Sequence, residues 1–147
     1  MSRRMICHGR GWTDLVLVSI LVFAVCGSQV AMAAETTPRD ASKYYRITNG
    51  SVDSKTYNGY RRYHASCNHC HGSDGLGSTF GPALIDRLPE IAAFRDIVLN
   101  GKSDGSSVMR GFAKDPNIEP YIDDIYAYLK ARSDGVLGRG RPQRIGD

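Results

Sequence analysis

The chain predicts an all-α fold built on three main helices. Apolar side chains recur at helical spacing over residues 54–67, 88–100 and 120–132. No alternating apolar and polar run is long enough for a sheet, and glycine-rich stretches separate the three segments. In the first helix Ser54 is a candidate N-cap, and Tyr57, Tyr60, His64 and Cys67 trace one stripe. Gly59 within it costs about 1 kcal/mol against alanine, which points to a close helix crossing. Residues 72–81 read as a glycine-rich loop. The second helix takes Pro89 as its first helical position and Gly101 as its stop, with Ile91, Phe94, Ile97 and Val98 on its apolar face. Residues 101–116 form another loop. Pro120 opens the third helix, whose face is Ile122, Ile125, Tyr126 and Leu129, with Asp123 and Asp124 at the end where the helix dipole favours them. Tyr57, Tyr60 and Tyr63 are expected to meet Tyr121, Tyr126 and Tyr128 between the first and last helices.

The ends of the chain read differently. Arg3, Arg4 and Arg10 precede an apolar stretch over 15–25, and Ala31-Met32-Ala33 supplies a small-x-small cleavage pattern. Residues 1–33 are therefore expected to be a cleaved export signal, cut between Ala33 and Ala34. The stretch is short for a membrane span, so no stable membrane insertion is expected after cleavage, although an uncleaved anchor is the alternative. Residues 34–53 read as an extended polar arm, 54–132 as the folded domain, and 133–147 as a basic, unstructured tail. That tail is either a solvated terminus or a patch that steers a redox partner. Removing Arg3, Arg4, Arg10 and Asp14 lowers the formal charge of +4 by two. The remaining balance gives no support to nucleic-acid binding.

Cys67-Asn68-His69-Cys70-His71 carries the chemistry. C-x-x-C-H is the attachment pattern of a c-type haem. Two thiols on one helical turn can add to the two porphyrin vinyl groups, and the histidine that follows is placed to be the proximal iron ligand. A bare C-x-x-C is shared with zinc and dithiol redox sites. The histidine and the export signal sharpen it, since covalent haem attachment occurs outside the cytoplasm. Cys7 and Cys26 leave with the signal, so Cys67 and Cys70 are the thiols that remain, with no disulfide framework. Met109 is the one methionine beyond the signal, and it sits in a glycine- and serine-rich loop. It is the candidate distal ligand, and its alternative is a gap-filling apolar residue. Imidazole plus thioether saturates the iron and leaves one-electron transfer as the function. The carbonyl of Pro82 is a candidate acceptor for the proton-bearing nitrogen of His71, against a plain turn proline. His64 is a weak candidate for a ligand or a haem-edge contact, and His69 is expected to point outward.

The order of helix, CNHCH, glycine loop, Gly81-Pro82-Ala83-Leu84, helix, methionine loop and aromatic helix resembles the class I cytochrome c fold. Tyr63-His64-Ala65-Ser66-Cys67, Gly72-Ser73-Asp74-Gly75-Leu76-Gly77, Tyr121-Ile122-Asp123-Asp124-Ile125-Tyr126 and Gly138-Arg139-Gly140-Arg141-Pro142 are similar to segments of the small periplasmic cytochromes of methanol and alcohol oxidation. The resemblance covers roughly residues 57–142. It implies one haem c on Cys67 and Cys70, His71 and Met109 as axial ligands, and no enzymatic activity. It also implies a PQQ-dependent alcohol or methanol dehydrogenase as electron donor, and another cytochrome c or a terminal oxidase as acceptor. The family pattern has proline after the methionine, where this chain has Arg110, and Val-Met-Cys-Tyr where it has Ile118-Glu119-Pro120-Tyr121. Both departures bear on the partner surface. The rival reading is a haem enzyme or a gas or redox sensor with an open distal face.

Overall fold

The computed structural model describes residues 43–147 apart from Ser106. The expected export signal and residues 34–42 of the polar arm lie outside the described residues. From the N-terminal side the elements are β1 (Ile47–Thr48), β2 (Ser51–Val52), α1 (Ser54–Ser66), α2 (Asn68–His71), α3 (Ile91–Asn100), β3 (Lys102–Ser103), β4 (Val108–Met109), α4 (Ile122–Ser133) and β5 (Gln143–Arg144). A 3-10 turn at Ser73–Gly75 follows α2, and another at Glu119–Tyr121 leads into α4. Three main helices stand as the sequence predicts. The strands, each of two residues, are too short to leave an alternating pattern.

α1 and α4 form the principal helix contact. Gly59 is the reason they can approach: a Cβ there would lie 1.8 Å from the Asp124 carbonyl oxygen. The crossing is then filled with aromatic rings. Tyr128 is fully buried and meets Tyr60 edge-on at 5.5 Å and Tyr63 at 5.6 Å. Tyr126 turns to the other side of α4, against Tyr44 and Phe94. Tyr57 and Tyr121 stay out of the crossing, each covered by an arginine: Arg141 for Tyr57, and Arg62 at 3.8 Å for Tyr121. α4 buries residues almost all round, including Ile122, Ile125, Ala127, Leu129 and Ala131. α3 contributes Phe94 and Val98.

Local chemistry corrects three sequence expectations. α1 is capped by Asp53, not Ser54, because the Asp53 carboxylate accepts from Thr56 N at 3.0 Å and from the Thr56 hydroxyl at 3.0 Å. α3 begins at Ile91, so Pro89 lies before the helix; its carbonyl accepts from the Tyr126 hydroxyl at 3.2 Å. Finally, residues 133–147 are packed, not unstructured. β5 pairs parallel with β2, Ser51 opposite Gln143 and Val52 opposite Arg144. Leu137 is buried, and Arg132 donates to its carbonyl at 2.6 Å. On the N-terminal side, the described part of the arm forms the β1–β2 hairpin and buries Tyr45 and Val52.

Candidate cofactor site

The motif is one short helix and its flanks. The Cys67 N–H closes onto the Tyr63 carbonyl at 2.8 Å, ending α1, and the His71 N–H bonds the Cys67 carbonyl at 2.9 Å, closing the turn of α2. That turn brings Cys67, Cys70 and His71 together within about one turn of helix. Cys67 is half-buried, Cys70 is exposed, and His71 is buried with 9% of its surface accessible. His69, between the thiols, is exposed.

The His71 ring is oriented by a single contact, Nδ1 to the Pro82 carbonyl at 3.0 Å. A carbonyl only accepts, so Nδ1 carries the proton, and in the neutral ring the lone pair is then on Nε2. Among the described residues Nε2 has no hydrogen-bond partner. The loop can bring Pro82 so close because Gly81 has no Cβ; one built there would lie 3.1 Å from His71 Nδ1 and 2.9 Å from the Cys70 carbonyl oxygen.

The loop beyond His71 is bound from within. Tyr63 donates its hydroxyl to the Gly72 carbonyl at 2.6 Å and lies 3.2 Å from the His71 carbonyl. Burial, with the nearby Cys67 second, raises the Tyr63 hydroxyl far above its ordinary range, so it stays a donor. Gly77 N–H returns to the His71 carbonyl at 2.8 Å. Gly72 sits at φ +72, where a Cβ would be 2.0 Å from the Gly77 carbonyl oxygen, so only glycine fits.

Asp74 is the residue sequence reasoning missed. It is 4% exposed and holds a left-handed backbone, φ 60 and ψ 19. Its carboxylate accepts from Tyr128 at 3.0 Å, Gly140 N–H at 3.2 Å and Arg139 Nε at 3.4 Å. Burial works to raise the carboxyl, but the Gly140 N–H, Tyr128, Arg139 and Arg132 outweigh it and hold it below the usual range. His64 closes this cluster, with Nε2 3.5 Å from the carboxylate and Nδ1 bonded to the Tyr60 carbonyl at 3.0 Å. Both of its nitrogens are thus engaged away from His71. A buried-acid signal of this kind is invisible in sequence, because Asp74 reads there as one more turn residue.

Met109 stands apart on β4, opposite Lys102 of β3, with its side chain half-buried against the hydrophobic core. No hydrogen bond or ion pair among the described residues joins it to the group of Cys67, Cys70, His71 and Pro82. Arg110 stacks on Phe112 at 4.7 Å, and the Phe112 N–H anchors the loop's end to the Val98 carbonyl at 2.9 Å.

These side chains fit a covalently held haem. Two unpaired thiols and one imidazole with a free nitrogen share a turn, and glycines let the following loop pack closely against it. A dithiol redox site fits less well. Burial, with Cys70 second, pushes the Cys67 thiol up to about 11, so at neutral pH it is not a reactive thiolate.

A family model described as cytochrome c oxidase, cbb3-type, subunit III matches residues 54–129, the span from α1 nearly to the end of α4. The chain belongs to this family of c-type cytochromes. Cytochrome c-553I of Paracoccus denitrificans is 44% identical over 117 residues, covering 76% of this chain, which spans only 52% of that protein's length. Cytochrome c-555 of Methylococcus capsulatus is 35% identical over 96 residues, covering 63% of this chain and 75% of that protein. The crystal structure of the c-type cytochrome XoxG from Methylobacterium extorquens AM1 superposes with a TM-score of 0.66 at 45% identity, covering 70% of this chain and 67% of that one. The cytochrome therefore has the class I fold that the sequence predicts. Among its described residues no helix is long and apolar enough to cross a membrane.

Proposed function

We propose that this cytochrome is an exported, periplasmic carrier of single electrons. In this reading Cys67 and Cys70 hold one haem c through thioethers, His71 is the proximal ligand through Nε2, and Met109 is the distal ligand. The observation that carries it is the buried His71 ring, bonded through Nδ1 to the Pro82 carbonyl at 3.0 Å, at the end of C-x-x-C-H. A haem bound there supplies a one-electron iron couple. The residues supply the rest. Pro82 fixes the tautomer and raises the basicity of Nε2, and Tyr63 and Gly72 fix the loop behind it. The methionine loop presents a soft thioether, which favours the ferrous form and raises the potential.

Among the described residues the two most exposed large apolar side chains, Phe80 at 76% and Val108 at 77%, stand on the two loops that carry Pro82 and Met109. Exposed apolar groups flanking a redox site suit brief contact with a protein partner. From the resemblance in sequence, that partner is a PQQ-dependent alcohol or methanol dehydrogenase as donor, with another cytochrome c or a terminal oxidase as acceptor. The test is reduction of the ferric protein by such a dehydrogenase, with alcohol added and the ferrous haem band followed. Fast, alcohol-dependent reduction is expected. No reduction by a demonstrably active dehydrogenase would place the donor elsewhere.

A further inference from the structure

We infer that Asp74 and Arg139 are a charge pair that tunes the reduction potential, with the 137–144 segment clamped over the His71 loop to hold the pair in place. This rests on the proposed haem ligation by His71.

Asp74 lies three residues beyond His71 on the same loop and is 4% exposed. Its contacts come from three separate parts of the chain: His64 of α1, Tyr128 of α4, and Arg139 and Gly140 beyond α4. The buried Arg132 adds a second link, donating to the Asp74 carbonyl at 3.4 Å and to the Leu137 carbonyl at 2.6 Å. One guanidinium thus joins the loop to the start of the segment. Further along, Arg141 donates to the Tyr57 hydroxyl at 2.9 Å, and β5 pairs with β2. A carboxylate held by this many donors is a fixed negative charge, and burial keeps water and salt from screening it. Loss of an electron adds positive charge to the site, so a fixed anion nearby favours the ferric form and lowers the potential. Arg139 is 69% exposed and opposes that effect only in part. Both are positioning and electrostatic residues, not ligands.

The experiment is the midpoint potential of the full-length, haem-loaded protein and of two variants, with haem content measured for each. Asp74→Asn keeps the shape and removes the charge. It is expected to shift the reduction equilibrium about three- to tenfold toward the ferrous form, tenfold being 59 mV for one electron. Arg139→Gln is expected to shift it the other way by a smaller factor. A structural defect alone would not give shifts of opposite sign. Unchanged potentials in haem-loaded variants would overturn the inference and leave the haem reading intact. Arg139 is exposed, so its variant decides the matter if Asp74→Asn does not fold. A wild-type chain that carries no haem would overturn both.

Discussion

The two loops that carry His71 and Met109 are built in opposite ways. Residues 67–82 are held from every side. The Tyr63 hydroxyl, the Ser78 hydroxyl on the Cys70 carbonyl at 2.5 Å, and the Leu84 N–H on the Gly75 carbonyl at 2.9 Å all pin the backbone. Residues 101–112 are tight only at the base. A Cβ on Gly101 would lie 2.5 Å from the Met109 carbonyl oxygen, and one on Gly111 would lie 2.4 Å from that of Leu99. Toward the tip there is a two-residue ladder and a turn in which Ser107 N–H reaches the Asp104 carboxylate at 3.0 Å. The side that carries Cys67, Cys70 and His71, the proposed attachment groups, is held throughout. The side that carries Met109 has fewer ties toward its tip, as would suit the weak, exchangeable ligand proposed above.

Paired glycine substitutions should break this contrast most visibly. Gly72→Ala is expected to cost roughly 3 kcal/mol or more in chemical denaturation, because strain and collision with the Gly77 carbonyl combine. Gly105→Ala, with open space around it, should cost about 1 kcal/mol, the backbone penalty alone. Similar losses at both sites would mean that the loops are equally constrained. Met109→Ala comes next. It should abolish the weak far-red band of a thioether on ferric iron, leave covalent haem attachment intact, and lower stability by about 2 kcal/mol. Survival of that band would remove Met109 as ligand.

Acid titration sharpens the rigid side. The Asp74 carboxyl is held low in the folded state, so its stabilisation is complete above the ordinary carboxylate range and is lost as pH falls through the folded value. Asp74→Asn should be less stable than wild type at neutral pH, with the gap narrowing in acid; a constant gap would count against it. The smallest effect is expected from Arg110→Ala, which removes the stack on Phe112 and should cost under about 1 kcal/mol by thermal melting.

The sequence reading was sharpest where chemistry demands neighbouring residues. The spacing of Cys67, Cys70 and His71 puts them on one turn, as the structure has them, and Gly59 announces the helix crossing by its cost within a helix. It was weakest where a contact joins distant parts of the chain. Nothing in Arg139-Gly140-Arg141-Pro142 shows that Asp74 and Tyr57 await it, so a basic run looked like solvated tail. The N-cap failed differently. Asp53 and Ser54 are both good caps, and only the reach of the carboxylate to Thr56 separates them. Arg110 also gained meaning from the structure. Where the resemblance implies proline, this chain stacks a cation on Phe112.

The parallel pairing of β5 with β2 has a consequence for the order in which the molecule is made. Ser51 meets Gln143 only after all of residues 53–142 have been made, so this pairing is among the last contacts a chain emerging from its N-terminal side can form. In the proposed export, Cys67 and Cys70 emerge earlier, on a turn not yet clamped by the segment that follows α4. Under the proposed haem attachment, the window for joining the thiols to their cofactor therefore opens before the fold can shut.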